Sequence, residues 1–509
     1  MEEKTNLPLS FKTEKTDILA SLMANGLAGS LGLAAKTLGQ ITPLRQVIVK
    51  SYDRKIHQQY QQMMMENPDY AEVISRRRDL ALSILYTVNR ALDRNLIGSA
   101  TLNGVLGVIS REILFRQDSQ AIKEFETQFH HLPPSILALA PGKTCNLSCK
   151  GCYADSRESS EKLPWSTLRR IIREAKELWG VHFFVITGGE PLLYQDQGKN
   201  LLNLAEENPD CFFLCYTNGT LINGRVAQEM GNLGNITPGI SIEGMKETTD
   251  RRRGKGVFDR VVTAMEHLRE NKVPFGISMT ATTNNYQELL AEETLDFYFE
   301  KMGALYGWLF QYMPIGRSIS LDLMPTPEQR LKMFDRMFEV VKNRQYFLAD
   351  FWNSGLLADG CIAAGGRGGY LYIDWNGNVT PCAFVPYSPV NINKVYAEGQ
   401  NLNDVWNDPF FASIRQWQQN YNPGIGAPQP HPNGNLLRPC LYRDHYEEFL
   451  QIQNQYQPQP IDYHAQEALK DSKYRRGMNQ YDQRLADLSD PLWKEKFSQQ
   501  STKDKKHLD

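Results

Sequence analysis

From residue 133 onward, short apolar runs alternate with amphipathic stretches, and the alternation repeats six times. The runs at 136–140, 182–187, 212–217, 238–242, 275–281 and 306–313 have the length and texture of strands. Each precedes a segment of helical period: 165–179, 201–207, 221–233, 258–271, 286–302 and 327–344. In the first of these, Ile171, Ile172, Ala175 and Leu178 share one face. Six β-then-α units in succession predict parallel strands joined by helical crossovers. Six fall short of the eight that close a barrel, so the expected fold is α/β, an open partial (β/α)6 TIM-like barrel.

The flanks read differently. Residues 1–132 are mostly helical in pattern. Within them, 18–35 (ILASLMANGLAGSLGLAA) is uncharged over a length near the minimum for a membrane span. It also carries Ser21, Asn25, Ser30 and three glycines, with Leu19, Leu22, Met23 and Leu27 at roughly helical spacing. Residues 96–110 (LIGSATLNGVLGVIS) have the same mixture. Helices packed on the main domain are one reading and a peripheral membrane contact the other; a true span is not expected. Past residue 351, glycine and proline gather in GCIAAGGRGGY and NYNPGIGAPQPHPNGN, and no long periodic helix precedes Tyr446. Loop-rich structure of this length is usually functional or stapled from outside. After residue 457 the chain is polar, with one peripheral helix and a frayed end expected. The parts expected are therefore 1–132, helical; 133–350, barrel; 351–457, loop-rich; and 458–509, tail.

Composition narrows the function. A chain of 509 residues with 41% apolar positions exceeds one ordinary domain. A formal net charge of -2 gives no bulk electrostatic case for nucleic acid. The first 17 residues mix acids and bases without a signal-peptide pattern, so a cytoplasmic location is expected. There, clustered cysteines bind metal more often than they form disulfides.

In a parallel β/α barrel, functional groups collect on the loops after the C-terminal ends of strands. TCNLSCKGCYAD follows the first strand, TGGEP (187–191) the second and TNGT (217–220) the third. SIEG (241–244) ends the fourth and PIGR (314–317) follows the sixth. Three of the eight cysteines, Cys145, Cys149 and Cys152, stand on the first loop as C-x3-C-x2-C. Three thiolates on one loop can hold three irons of a [4Fe–4S] cluster and leave the fourth open. A zinc site is the competing reading, although zinc favours C-x2-C pairs with a second pair at a distance. Cys211 and Cys215 share one face of the third strand and read as small core residues.

With these motifs, residues 133–344 resemble the radical S-adenosylmethionine enzymes. Their cysteine signature after the first strand is matched by Cys145, Cys149 and Cys152, and their second-strand GGE motif by Gly188, Gly189 and Glu190. Gly151 departs from the family, which usually has an aromatic residue or histidine before the last cysteine, and this leaves a stacking contact open. The resemblance implies a [4Fe–4S] cluster whose open iron chelates S-adenosylmethionine. It implies that Glu190 accepts from the cofactor's ammonium and that Ser241 meets its ribose or carboxylate. Arg253, in DRRRG, would be the carboxylate partner, a role that suits a guanidinium. A solvated basic turn is the alternative for that stretch. Asn218 and Thr280 are further candidates for ribose contacts.

Cys361, Cys382 and Cys440 lie in the loop-rich region. The stretch CIAAGGRGGYLYIDWNGNVTPC resembles the start of the SPASM/twitch extension of the same family, here truncated. Three cysteines could hold one auxiliary [4Fe–4S] cluster, with the fourth iron bound by Asp444, His445, another residue or the substrate. Three buried structural cysteines are the alternative. The resemblance implies an enzyme that cleaves S-adenosylmethionine to methionine and a 5′-deoxyadenosyl radical, which then abstracts hydrogen from an unreactive C–H bond. A low-potential donor, flavodoxin or ferredoxin, would supply the electron. A peptide or protein side chain is the expected substrate, with an isoprenoid or lipid at a membrane surface as the alternative. Oxidoreductase or transferase type stays open. A non-catalytic metal-binding interaction protein is the competing class, against which Glu190 and the complete cysteine triplet argue.

Overall fold

The computed structural model describes residues 42–109, 119–365, 368–422 and 434–497. The six strands expected from the pattern are β1 (Ile136–Leu139), β2 (Phe183–Ile186), β3 (Phe212–Thr217), β4 (Ile236–Ile242), β5 (Gly276–Ala281) and β6 (Tyr306–Gln311). They pair in sequence order and all in parallel, for example Leu139 with Ile186, Ser241 with Ser278 and Thr280 with Phe310. The intervening helices bury one apolar face each. Trp165–Trp179 covers Leu168, Ile171, Ile172 and Ala175. Pro327–Arg344 opens on a capping box between Thr326 and Gln329, with proline at the first helical position, which satisfies the otherwise orphaned N–H groups.

The sheet extends beyond the expected six strands at both edges. β7 (Phe347–Asp350) pairs in parallel with β6, and β8 (Tyr370–Ile373) pairs in parallel with the far side of β1. β9 (Asn378–Thr380) and β10 (Val390–Asn391) continue antiparallel from β8. The loop-rich region thus begins as part of the barrel sheet. The sheet stays open, but the rings of Phe351, just past the edge strand β7, and Tyr370, on β8, lie 6.3 Å apart across its interior.

Strand residues such as Leu139, Ile186, Phe213, Ile240, Ile277 and Leu309 belong to one contiguous core. Tyr52, Ile56 and Tyr60 of α1 (Thr42–Glu66) join it. The next helix, α2 (Ala71–Asp93), is pinned to the barrel by Arg77, which donates to the Leu356 carbonyl at 2.7 Å and pairs with Asp359 at 2.5 Å. The small residues of the 96–110 stretch have a packing reason in their described part. A Cβ on Gly104, in α3 (Ser99–Ile109), would stand 2.6 Å from the Gly234 carbonyl, and one on Gly234 would stand 2.4 Å from the Ala100 carbonyl carbon. These residues allow the helix to approach the barrel closely, which favours packing over membrane contact there. Residues 18–35 lie outside the described residues. Among the described residues, no helix is long and apolar enough to cross a membrane.

Two C-terminal expectations are corrected. Pro409–Tyr421 is a 13-residue helix, started by Asp408 as N-cap and buried through Phe410, Phe411 and Ile414. The adjoining glycine and proline cluster hides its period. The tail contains a 21-residue helix, Ser472–Leu492, that buries Tyr474, Met478, Tyr481 and Leu485. It is a wall of the structure, because its polar residues flank a continuous apolar stripe.

Candidate functional site

The cysteine loop after β1 is shaped by three neighbouring loops, all at the C-terminal rim of the sheet. From β2, Gly189 N donates to the Gly142 carbonyl at 3.0 Å and Glu190 N to the Thr144 carbonyl at 2.8 Å. A Cβ on Gly189 would stand 2.2 Å from the Thr144 oxygen and 2.3 Å from the Lys143 oxygen, so the backbones meet where no side chain fits. Gly189→Ala is therefore expected to push the two loops apart at a cost of about 1–3 kcal/mol and to weaken S-adenosylmethionine binding. Thermal melting and titration calorimetry check this, and wild-type values in both would show that the loops have room.

From β6, Arg317 reaches across the cysteine loop. Its Nε donates to Asp155 Oδ1 at 3.0 Å, its Nη1 to the Cys149 carbonyl at 2.5 Å and its Nη2 to the Ser156 carbonyl. From Lys246–Arg253, Arg252 donates to the Lys150 carbonyl at 3.2 Å and returns its own carbonyl to Lys150 N at 3.0 Å. Gly151 has φ +63°, and a Cβ there would stand 2.6 Å from the Tyr312 ring. The ring beside the last cysteine therefore comes from Tyr312, just past β6.

The other sequence-selected residues surround this loop. Glu190 is buried, and its carboxylate accepts from Thr217 Oγ1 at 2.6 Å, Leu192 N at 3.1 Å and Asn218 N at 2.8 Å. Burial pushes its pKa up, against the pull of these donors. Three contacts leave one lone-pair direction of the carboxylate. The Asn218 amide donates to Asn146 Oδ1 at 2.8 Å, and its carbonyl oxygen accepts from Thr220. Ser241 and Thr280 face the interior. Tyr216, Ser241 and Thr280 are each the half-buried position near the C-terminal end of an otherwise buried strand, and Phe310 stands in the same layer on β6. The Ser241 hydroxyl has no hydrogen-bond partner among the described residues.

Arg253 donates from Nε and Nη2 to Glu243 Oε1 at 2.8 and 2.6 Å. Its Nη1 has no hydrogen-bond partner among the described residues. Burial disfavours the charge, but the carboxylate of Glu243 and the nearby Cys149 and Cys152 sulfurs raise the pKa overall. Glu243 is fully buried and also pairs with Arg252. It thus orients the guanidiniums of both arginines.

The donor set fits an iron–sulfur cluster. Leu147 N donates to Cys145 Sγ at 3.4 Å, as a thiolate ligand would require. Burial nevertheless pushes the Cys145 thiol up to about 11, so loss of its proton calls for a metal. Thiolates bound to one zinc at about 2.3 Å must lie within about 4 Å of each other. Among the described residues, metal-ligating atoms group that closely, within 4.8 Å, at His182, Asp210 and Cys211, and in neither cysteine triplet. That group lies at the opposite end of the strands, where Lys176 Nζ stands 3.1 Å from Asp210 Oδ1. A cluster carries its thiolates on separate irons and suits the wider spacing.

The C-terminal cysteines come together on and around β8. Cys361 rises well above its ordinary pKa, through burial first and then through the neighbouring Cys440 and Cys382 sulfurs. Of the three sulfurs, that of Cys382 receives a backbone N–H, from Phe384 at 3.4 Å. Of the residues named as fourth ligands, Asp444 is committed elsewhere, and His445 is committed through one ring nitrogen. The Asp444 carboxylate accepts from Arg330 at 2.6 and 3.0 Å, Arg443 Nε at 3.2 Å and Cys440 N at 3.2 Å, which fills its lone pairs. His445 Nε2 bonds the Arg438 carbonyl at 3.0 Å, and its ring packs edge-on against Trp417 and Tyr421.

Sequence reasoning singled out the loops but not Arg317, Tyr312, Glu243 or Arg252 as parts of the site. The PIGR, SIEG and DRRRG segments were the available signals for Arg317, Glu243 and Arg252. Cys211 and Cys215 are fully buried, as expected of core residues.

Residues 139–296 match the Radical SAM superfamily, and residues 361–425 match SPASM, an iron–sulfur cluster-binding domain. The chain is 26% identical to the Fe-coproporphyrin III synthase of Methanosarcina barkeri, over 36% of this chain and 46% of that protein. It therefore spans about half the length of that curated relative. It is 28% identical to the mycofactocin maturase MftC of Mycolicibacterium smegmatis, over 54% of this chain and 70% of that one. Among solved structures, SuiB of Streptococcus suis bound to S-adenosylmethionine is similar with a TM-score of 0.48 and 21% identity, covering 59% of this chain and 72% of that one.

Proposed function

Because the chain belongs to the radical S-adenosylmethionine superfamily, with a SPASM-type region after its barrel, we propose that it is an enzyme abstracting hydrogen from an unactivated C–H bond of a peptide or protein side chain. One observation carries the reading. Tyr153, which follows Cys152, and Phe384, two residues after Cys382, have ring centroids 5.8 Å apart. The two cysteine sites thus flank one interior. Its wall continues through Phe310, 5.8 Å from Phe384 and 5.4 Å from Tyr216, and through Phe351, 5.6 Å from both Phe310 and Phe384. An aromatic wall with the Ser241 and Thr280 hydroxyls excludes water and accepts a single side chain.

When bound at Cys145, Cys149 and Cys152, the cluster supplies the electron that divides S-adenosylmethionine into methionine and a 5′-deoxyadenosyl radical. The chain's own residues bind and orient the cofactor. The last lone pair of Glu190 takes its ammonium, Arg253 Nη1 its carboxylate and Ser241 its ribose, while Cys361, Cys382 and Cys440 hold a second cluster. Glu190→Gln is expected to keep the iron and weaken cofactor binding roughly 10- to 100-fold, because a charge-assisted contact of about 1.5–3 kcal/mol becomes neutral. Calorimetry on anaerobic protein reads this, and unchanged affinity would remove Glu190 from the site.

The substrate class is tested with dithionite-reduced protein, S-adenosylmethionine and a panel of side-chain-deuterated peptides. Transfer of deuterium into 5′-deoxyadenosine is expected. Stimulation by isoprenoid-loaded vesicles and by no peptide would replace this substrate with the lipid one.

A further inference from the structure

Tyr370 ties the second cysteine site together, and we propose that its hydroxyl is a positioning donor that sets the reduction potential of the cluster held there. The inference rests on the reading that Cys361, Cys382 and Cys440 bind an auxiliary cluster. Tyr370 sits on β8, in register with Ile136 of β1, the strand that leads into the first cysteine loop. Its backbone fixes the segment after Cys361: Tyr370 N donates to the Ile362 carbonyl at 2.9 Å, and Ala364 N donates to the Tyr370 carbonyl at 2.9 Å. Its side chain fixes Cys382, with the hydroxyl 2.8 Å from Sγ.

The same sulfur accepts from Phe384 N at 3.4 Å. A neutral thiol is a weak acceptor, so a buried site that aims two donors at one sulfur is built for a thiolate. Among the described residues, only Cys382 of this triplet has a side-chain hydroxyl on its sulfur. The ring is held in place: it is 6% exposed, and the Phe351 ring lies 6.3 Å away. A hydrogen bond to a ligating sulfur draws electron density from the cluster and stabilises its reduced form. Tyr370 thereby raises the potential of the auxiliary cluster and leaves that of the first cluster unchanged.

The test is an anaerobic redox titration of the full-length holoenzyme, followed by electron paramagnetic resonance, after iron has been counted. Tyr370→Phe is expected to lower the midpoint of the auxiliary cluster while the first cluster's midpoint stays fixed as an internal reference. A fluorinated tyrosine at 370, a stronger donor of nearly the same shape, is expected to raise it. The second variant keeps ring and hydroxyl, so it carries the test alone if Tyr370→Phe does not assemble its cluster. Tyr387→Phe is the control, since Tyr387 is equally buried but donates to the Ala465 carbonyl at 3.1 Å. An unmoved midpoint in the Tyr370 variants, or an equal shift in the control, overturns the proposal. Wild-type protein with iron for one cluster overturns instead the auxiliary-cluster reading beneath it.

Discussion

Replacing Cys145, Cys149 and Cys152 together with alanine is expected to abolish 5′-deoxyadenosine formation and to leave about half the iron of anaerobically purified protein, if each triplet ligates one four-iron cluster. The cysteine loop is anchored by groups other than its thiols. Arg317 holds the Cys149 and Ser156 carbonyls, Arg252 holds Lys150, and the Gly189–Glu190 backbone holds Gly142 and Thr144. Loss of the sulfurs therefore leaves the loop in place. The second triplet has its own supports on β8 and beside Asp444, so its iron is retained. Iron analysis and chromatography of the nucleoside product read the two effects separately. Complete loss of iron would show that the sites depend on each other, and stoichiometric zinc in colourless anaerobic protein would end the cluster reading.

Asp444→Ala is expected to destabilise the fold by roughly 3–5 kcal/mol, the cost of breaking a buried ion pair from one side. Arg330, Arg443 and Asp444 are all fully buried. The single carboxylate accepts from both guanidiniums, while Arg330 also donates to the Asn353 side chain and the Leu437 carbonyl. Removing it strands two cations away from water. Burial would raise the Asp444 pKa, but Arg330 and Arg443 outweigh burial and hold it well below the carboxylate range. With the folded pKa depressed, this contribution is complete above the unfolded carboxyl's value of about 3.9 and is lost as pH falls below it. Denaturant melts at pH 7 check the magnitude. Asp444→Asn should lose less, since it keeps the shape and one acceptor. The second cluster should go with the aspartate, because Cys440 N donates to it. An unchanged melt in the alanine variant would mean that water reaches these arginines.

Local pattern carried much of this architecture. The six β-then-α units were legible because amphipathic period and strand-length apolar runs are properties of contiguous residues. So were the rim loops, because glycines, cysteines and polar residues recur after five of the six strands. Gly188, Gly189 and Glu190 could be singled out by their place after the second strand and by resemblance to the family's GGE motif. What spacing could not show is why alanine has no place at 189: the excluding atoms belong to residues 143 and 144, some 45 positions away.

Tertiary contact decided the rest. YLYI at 370–373 is apolar enough for a strand, but its pairing with β1, more than 230 residues earlier, depends on which edge the folded barrel leaves open. That pairing brings Cys361 and Cys382 beside the interior that the first cysteine triplet also faces. Arg253 is one of three consecutive arginines. That two of them, Arg252 and Arg253, turn toward the cysteine loop follows from the carboxylate of Glu243, just past β4, which pairs with both. Helix and strand identity is written in neighbouring residues. A side chain's charge partner, its depth and the ring beside it are set by segments far away in the chain, and these came into view only when the strands were paired.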